Sequence, residues 1–216
     1  MIAAAMWFNS GILLFADAET SGSGKARTDS HTIFSRQYGP QRGGASSVFV
    51  ISEPGHRHDA AFHRCEEALA GIPPGDYSIN QMRQTVQQCL ADLDDDEIDF
   101  VALYSPKDQQ YSLFRTARNI LQEVVGYDCE GPAASAGHCL MHDRYNAARS
   151  MDSLDLNTVF SIAVETLDGI RAVHPTCGKG SEIVVMYADG HVSDVQHLVR
   201  DTPKKREAAL AALGHT

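Results

Sequence analysis

The chain has 216 residues, with 18 Lys and Arg against 28 Asp and Glu, a net charge of −10 and 43% hydrophobic residues. These values predict one globular domain over residues 1–216 that buries a full core without a metal or a disulfide. The acidic balance argues against nucleic-acid binding, since the only basic run is Lys204-Lys205-Arg206. The five cysteines form no CxxC pair, which favours reduced thiols in a cytoplasmic protein.

The apolar segment at residues 1–15 has the hydrophobicity of a signal peptide but lacks its basic start, since the first positive residue is Lys25. Asn9-Ser10-Gly11 divides the segment into two pieces that are too short for a membrane helix. We therefore predict a β-hairpin, with strands Ile2 to Phe8 and Ile12 to Ala16, and no membrane association.

Hydrophobic periodicity predicts the remaining elements in groups. The predicted strands are His31 to Ser35, Ser46 to Ser52, Phe100 to Tyr104, Gln110 to Phe114, Ile120 to Val125, a short piece near Ala133 to Ala136, Ile183 to Ala188, and His191 to Gln196. The predicted helices are one through Phe62, Cys65 and Leu69, one after a Ser78–Gln81 capping box through Met82 and Val86, then His138 to Ala148, Asn157 to Arg171, and Lys204 to Leu213.

The order of these elements is strands, two helices, strands, two helices, strands and a helix. Strands and helices alternate strictly in a doubly wound parallel sheet, so this order excludes that class. Groups of antiparallel strands separated by helix pairs instead predict an α+β fold, with two stacked sheets and helices on their outer faces. The pattern leaves open whether Phe62, Met82 and Val86 belong to the core or to an interface with a neighbouring subunit.

Several short segments match one known family. Gly11-Ile12-Leu13-Leu14-Phe15-Ala16-Asp17 resembles "G-V-V-L-A-A-D", Thr20-Ser21-Gly22 resembles "A-T-S-G", and Thr32-Ile33-Phe34 lies where the family has "K-I-Y/F". Gly126-Tyr127-Asp128 through Ala134-Ser135-Ala136-Gly137 resembles the stretch that leads into a "G-S-G" turn, and Asp189-Gly190 fits the closing "D-G". The family is that of the proteasome β-subunits, N-terminal-nucleophile (Ntn) hydrolases that include bacterial relatives.

The resemblance implies a four-layer αββα sandwich and assembly with copies of itself into rings or stacked rings. In this family an N-terminal Thr attacks a peptide carbonyl while its own amine, or a water, relays the proton. A nearby Asp and Lys set the electrostatics, and a backbone N–H stabilises the oxyanion.

Carried over by position, the family's site keeps the Asp, as Asp17, and Ser135 stands at the oxyanion turn. The nucleophile position falls at Met1 and the lysine position at Thr32, so both parts are substituted. Removal of Met1 would expose Ile2, which has no nucleophile either. Lys25 is the nearest alternative amine. In the later loop, His174 and Cys177 stand where the family has Asp and then Ser-Gly.

The sequence therefore supports two functions. One is a proteasome-like subunit associated with protein degradation that lacks the usual Thr nucleophile and would act on peptides or unfolded proteins if it were active. The other is a non-catalytic, self-assembling scaffold with the same fold. Ordinary structural roles remain open for Asp17 as a strand-end cap, Ser135 as a small residue before a helix, and Cys177 as a buried thiol.

No cofactor is expected, and two histidine groups are weak metal candidates. His56, His58 and His63 with Asp59 lack the spacing of a helical zinc pair with a Glu between the ligands. His138 and His142 have i,i+4 spacing, but they lie on a helix face that is expected to be polar in any case. We therefore predict no metal site.

Overall fold

The computed structural model describes residues 2–17, 32–39, 44–52, 58–73, 75–93, 98–117, 120–151, 153–174 and 181–195, together with positions 208 and 211. Within these ranges the strands are β1 (Ala3–Phe8), β2 (Gly11–Ala16), β3 (Ile33–Tyr38), β4 (Ala45–Val50), β5 (Phe100–Ser105), β6 (Gln110–Ala117), β7 (Ile120–Glu123), β8 (Tyr127–Glu130), β9 (Glu182–Tyr187) and β10 (Val192–Asp194). The helices are α1 (His58–Ala70), α2 (Ile79–Leu93), α3 (Ala134–Ser150) and α4 (Leu156–Val173). Most of the predicted helix from Lys204 to Leu213 lies outside the described residues.

The strands form two antiparallel sheets of five strands each. The first sheet has the order β10-β9-β2-β1-β8, and the second has the order β3-β4-β5-β6-β7. Both hairpins of the first sheet follow from the sequence, since Asn9-Ser10 joins β1 to β2 and Asp189-Gly190 joins β9 to β10. The first hairpin confirms the strand interpretation of the apolar N-terminal segment. No helix within the described ranges is both long and apolar enough to cross a membrane.

Alternating side chains divide the core into three layers. From β2, Leu13 and Phe15 pack toward α3 and α4, whereas Ile12 and Leu14 pack against the second sheet. The second sheet buries its other face under α1 and α2. The predicted α+β sandwich of four layers is therefore confirmed.

Helix α2 forms where its pattern predicts it. The amide of Gln81 donates to the Ser78 hydroxyl at 3.2 Å, which gives the helix the predicted N-terminal cap. Met82 and Val86 are fully buried and Phe62 of α1 is 7% exposed. All three lie in the cluster between the second sheet and its helices, so they belong to the core.

One predicted strand was wrong. The segment Ala133 to Ala136 does not extend a sheet, because α3 begins at Ala134 and the strand before it is β8. Gly126 and Gly131 have φ of +95° and bound β8 on either side. The chain therefore turns at Gly131, and the alanine-rich segment after it takes the helical conformation that alanine favours.

Candidate functional site

The ends of several strands meet at one edge of the sandwich. In the first sheet, Ala16 at the end of β2 lies opposite Glu182 at the start of β9, and the amide of Asp17 donates to the Ile2 carbonyl at 3.0 Å. In the second sheet, the amide of Ile51 donates to the Thr32 carbonyl at 2.9 Å. We call Ile2, Asp17, Thr32, Ser52 and Glu182 the strand-end site.

Glu182 joins the two sheets at this site. Its Oε2 accepts hydrogen bonds from the Thr32 amide at 2.8 Å, the Thr32 hydroxyl at 2.9 Å and the Ile33 amide at 2.7 Å. Thr32 is fully buried and Glu182 is half-buried. Hydrogen bonds to an ionised acceptor are about twice as strong as neutral ones. One carboxylate oxygen therefore fixes the first residues of β3 against the start of β9.

Asp17 lies directly beside this contact. It follows Ala16 in the chain, and it is only 1% exposed. The hydrogen bond from its amide to the Ile2 carbonyl makes Ile2, which precedes β1, its backbone neighbour. Met1 comes before Ile2 in the sequence. The site thus contains two carboxylates, Asp17 and Glu182, next to the position where the family resemblance implies a lysine.

A second polar contact closes the site at the end of β4. The amide of Ser52 donates to the carboxylate Oδ2 of Asp99, and the amide of Asp99 donates to the Val50 carbonyl at 2.9 Å. Ser52 is 5% exposed. The Ser52–Asp99 contact adds one side-chain hydrogen bond just beyond the paired residues of β4 and β5. It holds the chain in place where it leaves the sheet.

The structure brings together two of the six predicted site residues, Asp17 and Thr32. Ser135 lies exposed in the first turn of α3, and His174 ends α4, with its amide donating to the Ile170 carbonyl at 2.8 Å. Met1 and Cys177 lie outside the described residues, as does the alternative amine Lys25.

The first turn of α3 reaches the site through Gly137. A Cβ atom on Gly137 would lie 2.5 Å from Ile2 Cδ1 and 3.1 Å from the Cys129 sulfur. A side chain at position 137 would therefore fit only if the buried Ile2 side chain moved aside. Ser135 is therefore in the helical turn that packs on Ile2, although its own side chain faces outward.

The histidine pair of α3 binds neighbouring side chains of β8. His138 Nε2 lies 3.1 Å from the Asp128 carboxylate, and His142 Nδ1 lies 2.8 Å from the Tyr127 hydroxyl. His63 contacts Glu66 at 3.4 Å, whereas His56 and the side chains of His58 and Asp59 lie outside the described residues. Within the described part of the chain, no three His, Cys, Asp or Glu side chains are grouped to hold a metal ion.

The sequence did not indicate Glu182 or the Ser52–Asp99 contact as parts of the site. The available signal for Glu182 was a lone carboxylate before the apolar strand Ile183-Val184-Val185-Met186. Its significance depends on the β2–β9 register, which places it next to Asp17 only in the folded chain.

A groove of about 550 Å³ lies at the opposite end of β1. Its walls include Trp7, Phe8, Tyr145 and Arg149, and the Trp7 indole nitrogen donates to the Val124 carbonyl at 2.8 Å. Because Ile2 precedes β1 and Phe8 ends it, this groove is separated from the strand-end site by the length of the strand.

No protein-family model matches the sequence, and no curated protein matches it either. Solved structures do match. Anbu, an ancestral β-subunit, from Yersinia bercovieri has a TM-score of 0.71 at 12% identity and covers 100% of this chain and 94% of its own. Anbu from Pseudomonas aeruginosa, solved as a helical assembly, has a TM-score of 0.66 at 11% identity. The match covers 100% of this chain and 95% of the Anbu chain. HslV from Trypanosoma brucei has a TM-score of 0.57 at 10% identity. The match covers 86% of this chain and 98% of the HslV chain.

The chain therefore has the proteasome-like Ntn-hydrolase fold. Two antiparallel sheets between helix pairs agree with the αββα sandwich that the sequence resemblance implied. At these identities the likeness establishes the fold, and the function has to be argued from the residues at the strand-end site.

Proposed function

We propose that this protein is a self-associating, proteasome-like subunit that takes part in protein degradation as an assembly component, without a threonine nucleophile of its own. The observation that best supports this proposal is the Glu182–Thr32 contact. At the position where the family resemblance implies a lysine ammonium, this chain has a threonine hydroxyl held by a carboxylate. A carboxylate thus accepts from position 32, where the resemblance implies the positive group of the Ntn peptidase mechanism.

The residues next to Asp17 support the same conclusion. Ile2 is its backbone neighbour and Met1 precedes Ile2, and neither side chain has an oxygen or thiol that could attack a carbonyl. An Ntn hydrolase needs the nucleophile and the free amine on the same residue. Loss of an activated nucleophile leaves roughly 10³-fold acceleration over water, from binding and oxyanion contacts alone.

One observation favours a catalytic function instead. Asp17 is a carboxylate at the end of a buried strand, in the position of the family's aspartate, and it is 1% exposed. In a peptidase of this family, the Asp17 carboxylate would set the electrostatics near the N-terminal amine that relays the proton. The two functions differ in whether peptide turnover is blocked by a reagent that modifies N-terminal threonine.

We expect the purified protein to show no inhibitor-sensitive peptidase activity. Turnover of a panel of fluorogenic peptides is measured with and without a threonine-directed covalent inhibitor, and intact-mass spectrometry records the N-terminal residue and any adduct. An active proteasome-type enzyme, assayed alongside, shows that the peptides and the inhibitor work. Turnover that the inhibitor abolishes, with a matching mass adduct, would contradict the proposal.

We also expect the protein to associate with copies of itself. The Anbu complex of Pseudomonas aeruginosa forms a helical assembly, and the shared fold supports self-association here. Light scattering coupled to size-exclusion chromatography at micromolar concentration should give a mass several times the 23.5 kDa of one chain. A mass of one chain over a tenfold concentration series would show that this chain acts alone.

A further inference from the structure

Two cysteines meet between α1 and α2, away from the strand-end site. Cys65 is fully buried in the cluster under the second sheet, and Cys89 packs against the same cluster while remaining half-buried. The Cys89 thiol donates to the carbonyl of Arg64, the residue before Cys65, at 3.9 Å. This contact places the Cys89 sulfur beside the backbone at Cys65.

The other two described cysteines have different surroundings. Cys129 is 2% exposed and its sulfur lies 3.3 Å from the Met141 sulfur. Cys139 is exposed on α3. Cys65 and Cys89 thus combine a thiol in reach of solvent with a thiol beside it that solvent does not reach.

We infer that Cys65 and Cys89 form a reversible disulfide that links α1 to α2 when the protein meets a peroxide. The half-buried Cys89 thiolate attacks one oxygen of hydrogen peroxide, which breaks the O–O bond and gives the Cys89 sulfenic acid and hydroxide. The Cys65 thiol then attacks the Cys89 sulfur and water leaves. In total, two thiols and one peroxide give one disulfide and two waters, and a dithiol reductant reverses the step.

The environment assigns the order of these two steps. Burial raises the pKa of the Cys65 thiol, so Cys65 is a poor first nucleophile. Cys89 is the one of the pair that an oxidant reaches. Because the Cys89 sulfur lies beside the Cys65 backbone, the second step joins two residues that already meet where α1 packs on α2. The link is independent of the function proposed above.

The disulfide closes a loop that contains the end of α1 and the start of α2, including Gly71 and Tyr77. A cross-link of this kind restricts the unfolded chain and so favours the folded state. We expect oxidation to raise the melting temperature of the protein and reduction by dithiothreitol to restore the original value.

Peptide mapping tests the link directly. The full-length protein is treated with a small excess of hydrogen peroxide, alkylated under denaturing conditions and digested with trypsin. Cleavage at Arg64, Arg83 and Lys107 places Cys65 and Cys89 on separate peptides, 65–83 and 84–107. The expected product is these two peptides joined by a disulfide, with the total thiol count falling from five to three.

Single variants provide the controls. Cys139→Ser removes the exposed thiol of α3 and should leave the 65–89 link unchanged. Cys89→Ser should abolish both the link and the rise in melting temperature, and circular dichroism checks that this variant keeps the fold. Recovery of Cys89 as sulfinic acid with Cys65 still alkylated would overturn the inference, as would linkage only through Cys139.

Discussion

Glu182→Ala is expected to lower the free energy of unfolding by about 3–5 kcal/mol. The substitution removes the acceptor of three hydrogen bonds and leaves the buried amide and hydroxyl of Thr32 without their partner. Each such bond to a charged group contributes about 1.5–3 kcal/mol, and the three share one oxygen, so their effects are not additive. Urea unfolding followed by the fluorescence of Trp7, the single tryptophan, measures the change.

Two further variants separate the charge from the hydrogen bonds. Glu182→Gln keeps an acceptor oxygen and should cost about 1 kcal/mol, the typical value of one net hydrogen bond. Glu67→Ala removes an exposed glutamate of α1 and should change stability by less than about 0.5 kcal/mol. If Glu182→Ala is as mild as Glu67→Ala, the contact does not join the sheets in solution.

Much of the fold could be predicted because it is encoded locally. In α2, Met82, Val86 and Leu90 recur at helical spacing, and all three are fully buried. The Asp189-Gly190 turn likewise marks the β9–β10 hairpin within a few residues, since Gly190 has φ of +82°. The segment Ala133 to Ala136 has neither a clear hydrophobic periodicity nor a turn signal, and its strand prediction was wrong.

The strand-end site could be predicted only in part. Asp17 and Thr32 were predicted because they lie within short motifs that resemble the proteasome family. Glu182 belongs to no such motif, and its partner Thr32 is 150 positions away in the chain. Single-sequence reasoning has no access to a contact of that kind, because it depends on how two sheets stack. The Ser52–Asp99 contact was missed for the same reason.

The Glu182–Thr32 contact also differs from the arrangement that the family resemblance implies. A lysine at position 32 would add a cation beside Glu182, whereas Thr32 adds a neutral hydroxyl that donates to the Glu182 carboxylate. The fold is retained at this edge, since β2, β3 and β9 still converge. The described residues at this edge include two carboxylates and one hydroxyl, those of Asp17, Glu182 and Thr32.

Gly11→Ala is expected to destabilise the protein by about 3 kcal/mol or more, at or above the upper end of ordinary overpacking. Gly11 begins β2 and pairs with Tyr187 of β9. A Cβ atom there would lie 2.2 Å from the Met186 carbonyl oxygen and 3.0 Å from the Tyr187 Cα. These are backbone atoms of a strand held by β10 and β2 on its two sides, so they cannot move aside as a side chain does.

A second glycine provides the matched control for this clash. At Gly71, after α1, an added Cβ atom would lie 3.4 Å from its nearest neighbour, the Ala68 carbonyl oxygen, which is an ordinary contact. Gly71→Ala should therefore be neutral or stabilise the protein by about 0.4–1 kcal/mol, because alanine restricts the unfolded chain. Urea titrations of both variants at equal protein concentration decide the matter. Equal midpoints would mean that β9 yields at Met186, and the close β2–β9 pairing that places Glu182 opposite Ala16 would then be looser than described.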